Sequence, residues 1–220
     1  MKTERSIVTN TFLSILLIAV MLSGCSGPTN KGLKIRSDNE VRWTVDPLMY
    51  GKPPAESIVF KGTWEVWADL VEFAQHYVLC QTGYADYAAI FLNDRIYADV
   101  TVSTLFKPVS GKQDQSTGII FRIQDKNNYY IIRANALKNS VGIYKYVMGN
   151  LSLIKEGSTN VPTGKWQELS IEAKGNRIRG FLNGNRVVEA QDDTFVSGKI
   201  GLWTKADSVS CFHEVRLRPW

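Results

Sequence analysis

Carboxylates and histidines are the side chains of this chain that could carry acid–base or metal chemistry, and their spacing decides how far that goes. Retaining cleavage of a glycosidic bond uses two carboxyl groups ~5 Å apart. On a single strand such groups must occupy alternate positions to share a face. Glu65, Asp69 and Glu72 are instead three to four residues apart, which suits a helix face. Glu168 and Glu172 would share a strand face but have no acid between them, the pattern of a solvated surface. His76 stands apart, and His213 is followed by Glu214 in a stretch where strand neighbours point to opposite faces. Neither assembles the three or four converging ligands of a zinc site. Asp192-Asp193 and Asp207 have the oxygen chemistry of a loop calcium site. A turn aspartate, however, more commonly binds its own backbone, and no specific calcium motif accompanies them. There is no nucleophile elbow, phosphate loop or dinucleotide fingerprint. The residues therefore nominate no catalytic group, no metal and no cofactor.

Aromatic side chains offer binding instead. Trp64, Trp67, Tyr84, Tyr87, Tyr129, Tyr130, Tyr144 and Tyr146 supply flat surfaces for a sugar ring or a peptide, although most such rings serve as core or cross-strand partners. Tyr129 and Tyr130 split between faces, whereas Tyr144 and Tyr146 share one. Ile143 and Val147 lie on the opposite, core-like side. Tyr144, Tyr146 and Arg133 on the neighbouring strand form the candidate ligand platform.

The elements that would position them are strands. Tyr97 to Leu105, Gly118 to Gln124 and Gln167 to Ala173 alternate apolar and polar residues, as half-buried strands do. Turn residues punctuate the chain at short intervals: Asp125-Lys126-Asn127-Asn128, Met148-Gly149-Asn150, Lys174-Gly175-Asn176 and Asn183-Gly184-Asn185. Asn-Gly between alternating segments is a hairpin signal because both residues tolerate positive φ. Val66 to Phe73 is the one short stretch with a helical look. The pattern is all-β, a two-sheet sandwich or a barrel.

The formal net charge is +5, with basic residues scattered singly, so neither a nucleic-acid stripe nor a polybasic membrane tract is present. The N-terminus carries Lys2 and Arg5, then an apolar run from Thr11 to Leu22 that is too short for the ~20 residues of a membrane-crossing helix. A charged start, a short apolar run and small residues before a cut form the pattern of a signal peptide. Leu22-Ser23-Gly24-Cys25 resembles the lipobox of bacterial lipoproteins. That resemblance implies loss of residues 1–24, acylation of Cys25 and a membrane partner reached through lipid. Ser26, rather than an acidic residue, resembles the outer-membrane address, with the domain facing the periplasm or the surface. Residues 25–39, rich in Ser, Gly, Asn and Lys, read as a tether. Residues 40–220 read as one domain with a sizeable core. With Cys25 acylated, Cys80 and Cys211 remain, in strand-like segments near opposite ends of the domain. An exported location permits a disulfide, and spacing leaves a Cys80–Cys211 bridge or two buried thiols both open.

From Ala98 onward the chain resembles a known architecture. Gly118-Ile119-Ile120-Phe121-Arg122-Ile123-Gln124-Asp125 with Asn127-Asn128-Tyr129-Tyr130-Ile131-Ile132-Arg133 is similar to the central hairpin of bacterial concanavalin A-like (laminin G-like) jelly rolls. Trp166-Gln167-Glu168-Leu169, Phe181-Leu182-Asn183-Gly184 and Gly198-Lys199-Ile200-Gly201-Leu202-Trp203 match later landmarks. Val45-Asp46, Pro53-Pro54 and Gly62-Thr63-Trp64 match the opening more loosely. The resemblance implies an antiparallel two-sheet jelly-roll sandwich over roughly residues 40–220. This architecture hosts lectins, glucanases and interaction modules. The expected role is non-catalytic binding of a glycan or an envelope protein. The alternative is a hydrolase of family 16 or 3-keto-disaccharide type. The former lacks its acid triplet here, and Ala134-Asn135-Ala136-Leu137 stands where the latter carries Gln or Asp. Labelled palmitate is expected to incorporate into the intact chain and not into a Cys25→Ala variant; equal labelling of both contradicts acylation at Cys25.

Overall fold

A computed structural model describes residues 33–35, 39–92 and 94–220. The expected signal peptide, the expected acylation site Cys25 and most of the expected tether lie outside the described residues. Leu33–Ile35 (β1) pairs antiparallel with Val41–Trp43 (β2), so a pair of strands straddles the boundary expected at residue 40. A short 3₁₀ turn, Pro47–Met49, is capped by the Asp46 carboxylate, which accepts from the Leu48 N–H. Then follow Ile58–Lys61 (β3), Trp64–Val71 (β4), Ala74–Gln81 (β5), Ala85–Phe91 (β6) and Val100–Ser110 (β7). The central part comprises Ser116–Asp125 (β8), Asn128–Asn135 (β9), Ser140–Val147 (β10) and Asn150–Ser158 (β11). The chain closes with Gln167–Lys174 (β12), Arg177–Leu182 (β13), Asn185–Gln191 (β14), Lys199–Ala206 (β15) and Val209–Pro219 (β16).

These strands build two antiparallel sheets. One runs β1-β2-β16-β7-β12-β13-β14, with the β4–β5 hairpin joined to β16, and has nine strands. The other has seven, in the order β11-β10-β9-β8-β15-β6-β3. The expected all-β jelly roll is the fold. Its hairpins turn where the sequence places them. Met148 and Gly149 (φ 51° and 82°) and Asn183 and Gly184 (φ 50° and 76°) supply the positive φ pairs that match strand twist. At the β8–β9 turn the Asp125 carboxylate accepts from the Asn127 N–H and the Asn128 amide.

The main core lies between the sheets, built on Val102, Phe106, Ile119, Phe121, Tyr130, Ile132, Leu169, Ile171, Leu202 and Phe212. Burial of each such side chain contributes roughly 1.5–3 kcal/mol. β7 and β12 alternate buried and half-buried residues as expected. β8 does not, because its outward side is covered as well: Ser116 to Ile123 are all buried. Arg122, expected on a polar face, is 1% exposed. It occupies a bulge with φ 51°, and its guanidinium donates to the carbonyls of Ala98, Gly175 and Phe195. Burial lowers its pKa, and Asp99, 3.7 Å away, opposes that shift.

The helical look of Val66 to Phe73 is corrected to strand β4 and a tight turn. Trp64, Val66 and Val71 are its buried residues, and Glu72 and Phe73 turn the chain at φ 50° and 69°. The three-to-four spacing of Glu65, Asp69 and Glu72 therefore has no helix behind it. Cys80 and Cys211 are direct register partners on β5 and β16 and are joined as a disulfide. His76 is not isolated: its ring meets that of His213 at 4.7 Å, because His213 shares a face of β16 with Cys211, which the register sets against Cys80 on the face of β5 that also carries His76. Trp166 is half-buried beneath the β4–β5 hairpin, its indole N–H donating to the Leu70 carbonyl at 2.8 Å, outside the main core.

Asp192 pins the β14–β15 loop to the other sheet. It accepts from the Tyr130 hydroxyl, from Lys145 Nζ at 2.7 Å and from the Thr194 N–H at 2.9 Å. Burial raises its pKa, but the bonds from Lys145, Thr194 and Tyr130 outweigh burial and hold it far below the usual carboxylate range. A depressed folded pKa stabilises above the unfolded value of ~3.9, and the contribution fades as pH falls through that range. Asp192→Asn is therefore expected to lower stability by about 1–2 kcal/mol at neutral pH. Denaturant titrations should show the gap closing below about pH 4; a gap independent of pH contradicts the clamp.

Candidate functional site

The outer face of the seven-stranded sheet carries the side chains that the sequence nominated, together with several that it did not. Register places Ala89, Trp203, Gly118, Arg133, Gly142 and Glu156 in one row across β6, β15, β8, β9, β10 and β11. Large side chains there lie beside glycines. A Cβ at Gly142 would stand 2.6 Å from the Tyr144 ring, and one at Gly118 would stand 2.9 Å from the Ile132 carbonyl and 3.3 Å from the Trp203 ring. The glycines thus let Tyr144 and Trp203 lie flat along the sheet. The result is a second apolar cluster on this side of the sheet, with Ile120, Ile131, Tyr129, Tyr144 and Trp203 buried under Phe60, Tyr87, Tyr146 and Leu151.

One part of the face is polar and closed. Arg133, 4% exposed, donates from Nη2 to the Tyr144 hydroxyl at 2.6 Å. The hydroxyl in turn donates to Glu156 Oε1 at 2.8 Å, which also accepts from Ser140 Oγ at 3.0 Å. The guanidinium carbon stands 4.4 Å from the Tyr144 ring centroid. Burial, partly opposed by Arg133, pushes the Tyr144 hydroxyl up to about 12. Burial raises Glu156, yet the bonds from Tyr144 and Ser140 and the Arg133 charge bring it below its ordinary value. Alongside, Asn135 Nδ2 donates to Asp114 at 2.9 Å, and Ser116 Oγ also bonds that carboxylate.

The other part is aromatic and open. Tyr87 stacks on Trp203 at 5.9 Å, and Tyr146 meets Tyr87 at 5.4 Å and Tyr129 at 5.0 Å. A cleft of about 380 Å³ lies over these rings, lined by Phe60, Lys61, Asp86, Tyr87, Lys126, Asn127, Tyr129 and Tyr146. A second cleft of about 460 Å³ shares Asp86 and Tyr87 and is bordered by Tyr84, Gln113, Asp114 and Lys205. Lys61 and Asp86 pair at 3.3 Å on the rim.

Of the nominated residues, Tyr146 lines the open cleft, while Tyr144 and Arg133 are neighbours of it engaged with Glu156. Tyr87 and Tyr129 stood in the wider aromatic set but outside the nominated platform, and sequence reasoning missed Trp203, Lys61, Asp86 and Glu156. Tyr129 could have been found by parity, since it shares a face with Ile131 and Arg133. Elsewhere, the Asp207 carboxylate accepts the backbone N–H groups of Lys112, Gln113 and Asp114, locking the β7–β8 loop. Among the described residues no group of three or more His, Cys, Asp and Glu side chains is placed to hold a metal ion.

This architecture has a family. Residues 67–218 match the 3-keto-alpha-glucoside-1,2-lyase-like domain, and the chain belongs to that family. A levanase of Bacillus subtilis (strain 168) is 28% identical over 196 residues, 84% of this chain and 26% of the levanase. The chain thus spans about a quarter of that relative's length. Carbohydrate-binding module CBM66 from Bacillus subtilis superposes with a TM-score of 0.60 at 25% identity, over 75% of this chain and 93% of the module. A putative glycosyl hydrolase from Parabacteroides distasonis shares the fold, with a TM-score of 0.52 at 18% identity over 78% of this chain and 98% of that one.

Arg133→Met is expected to cost about 2 kcal/mol, because the Arg133 bond to Tyr144 and its stacking on that ring are both lost. It should also move the Tyr144 ionisation higher still, as the cation favouring tyrosinate is gone. Unchanged denaturation and an unchanged ultraviolet titration would contradict the coupling.

Proposed function

We propose that this domain is a non-catalytic glycan-binding module, presented at the bacterial cell envelope by lipid on Cys25, and that sugar chains lie over Tyr87, Tyr129 and Tyr146. The observation that carries this reading is the cleft itself: half-buried Tyr87 and Tyr146 rings bordered by Lys61, Asp86, Lys126 and Asn127. Flat rings accept the apolar faces of sugars, while a few charged and amide groups on the rim take the hydroxyls. Likeness to a levanase and to a carbohydrate-binding module supports a fructan such as levan as the first ligand to try. Binding without turnover is supported by the state of the nearby acids. Asp86 pairs with Lys61, Glu156 is held by Tyr144 and Ser140, and Asp114 by Ser116 and Asn135. None is an uncommitted acid beside another. Ser26 after the acylated cysteine favours the outer membrane as the site of display.

Titration calorimetry with levan and other neutral polysaccharides, run beside chromatography of the incubated sugar, tests this. Binding without new products is expected, and Tyr87→Ala or Tyr146→Ala should weaken it roughly tenfold, or about 1.4 kcal/mol. Released sugar that disappears on substitution of Asp86, Asp114 or Glu156 would establish the hydrolase reading instead. Silence toward every glycan, with an envelope protein co-purifying, would establish a protein partner.

A further inference from the structure

The opposite side of the sandwich holds a second arrangement that the groove does not use. On the outer face of β12, β13 and β14, register sets Glu172, Arg179 and Glu189 in one row and Lys174, Arg177 and Gln191 in the next. The first row is neutralised within the protein. Arg179 donates to Glu172 at 3.2 Å, and Glu189 accepts from Arg186 at 2.7 Å. In the second row, Lys174 and Arg177 stand directly opposite each other across the strands. A directly opposed like-charge pair is unfavourable in a sheet. Arg177 pairs with Glu189 at 3.4 Å, but it shares that one carboxylate with Arg179 and Arg186, and among the described residues Lys174 has no ion pair. Trp220 borders this pair, 66% exposed, with Lys174 Nζ 4.5 Å from its ring centroid. Together with Asn176 these residues line a cleft of about 470 Å³.

Local departures from good pairing gather at functional sites. A lysine without a carboxylate and an arginine sharing one with two others, beside an exposed indole and two side-chain amides, match one ligand chemistry, a sugar ring carrying a carboxylate. We infer that this cleft is a second, separate binding site, for uronate-bearing glycans. The Trp220 ring takes the sugar face, Lys174 and Arg177 share the carboxylate, and Asn176 and Gln191 meet the hydroxyls. A neutral sugar would leave the Lys174–Arg177 repulsion in place, whereas an acidic one removes it. The site does not depend on the groove across the molecule.

Calorimetry of the full chain with tetragalacturonate and with its methyl ester tests the inference. The acid should bind, the ester at least about tenfold more weakly, and affinity for the acid should fall as salt is raised. Lys174→Gln, Arg177→Gln and Trp220→Ala should each weaken acid binding by about tenfold. The first two should leave the thermal midpoint unchanged or raise it, because repulsion is relieved. Tyr146→Ala should leave this binding untouched, so failure here and failure of the levan titration are read separately. Equal affinity for acid and ester, no binding of the acid at about millimolar concentration, or acid binding that survives both Lys174→Gln and Arg177→Gln would overturn it.

Discussion

Burial of both faces of one sheet is the constraint on which the rest of this structure depends. In an ordinary sandwich each sheet buries its inner face and wets its outer one, so strands read as simple alternation. Here β8, β9 and β15 are buried on both sides, with Ile119, Tyr130 and Leu202 inward and Ile120, Ile131 and Trp203 outward. An outer face can be dry only if large rings lie along it, and rings lie flat only where their neighbours have no side chain. Gly118 and Gly142 meet that condition, and the aromatic floor of the cleft follows from it.

A dry outer face also governs how charge is handled. Arg122 and Arg133 sit in similar apolar contexts, Phe-Arg-Ile and Ile-Arg-Ala, and both are buried. Arg122 turns through a bulge and spends its donors on the carbonyls of Ala98, Gly175 and Phe195. Arg133 stays in register and spends its own on a tyrosine of the neighbouring strand and a glutamate of the strand beyond it. The first staples loops together; the second makes a rigid polar edge to the aromatic cleft. The nine-stranded sheet contrasts with this, its outer face over β12 to β14 wet and laced with arginine–glutamate pairs.

Much of this was legible in the sequence. Asn183-Gly184 and Met148-Gly149 announce their hairpins because positive φ is a local property, and the parity of Tyr144 and Tyr146 follows from period two. What was not legible depends on partners far along the chain. β4 was obscured because Glu65, Asp69 and Glu72 happen to fall at helical spacing, while the pairing of Trp64–Val71 with Ala74–Gln81 decides the matter. The His76–His213 contact needs the pairing of β5 with β16, strands far apart in the chain, which spacing does not show. Tyr87 and Trp203 belong to strands adjacent in space but over a hundred residues apart, so their stacking could not be read from spacing.

The outer face of the seven-stranded sheet is proposed as the place where this domain meets its ligand. A two-dimensional amide and aromatic spectrum, recorded while a levan oligosaccharide is titrated in, tests it most directly. Shifts are expected to concentrate at Tyr87, Lys126, Asn127, Tyr129 and Tyr146, with the amides of β12 to β14 still. Shifts centred on any other surface, with these five residues unmoved, would contradict it.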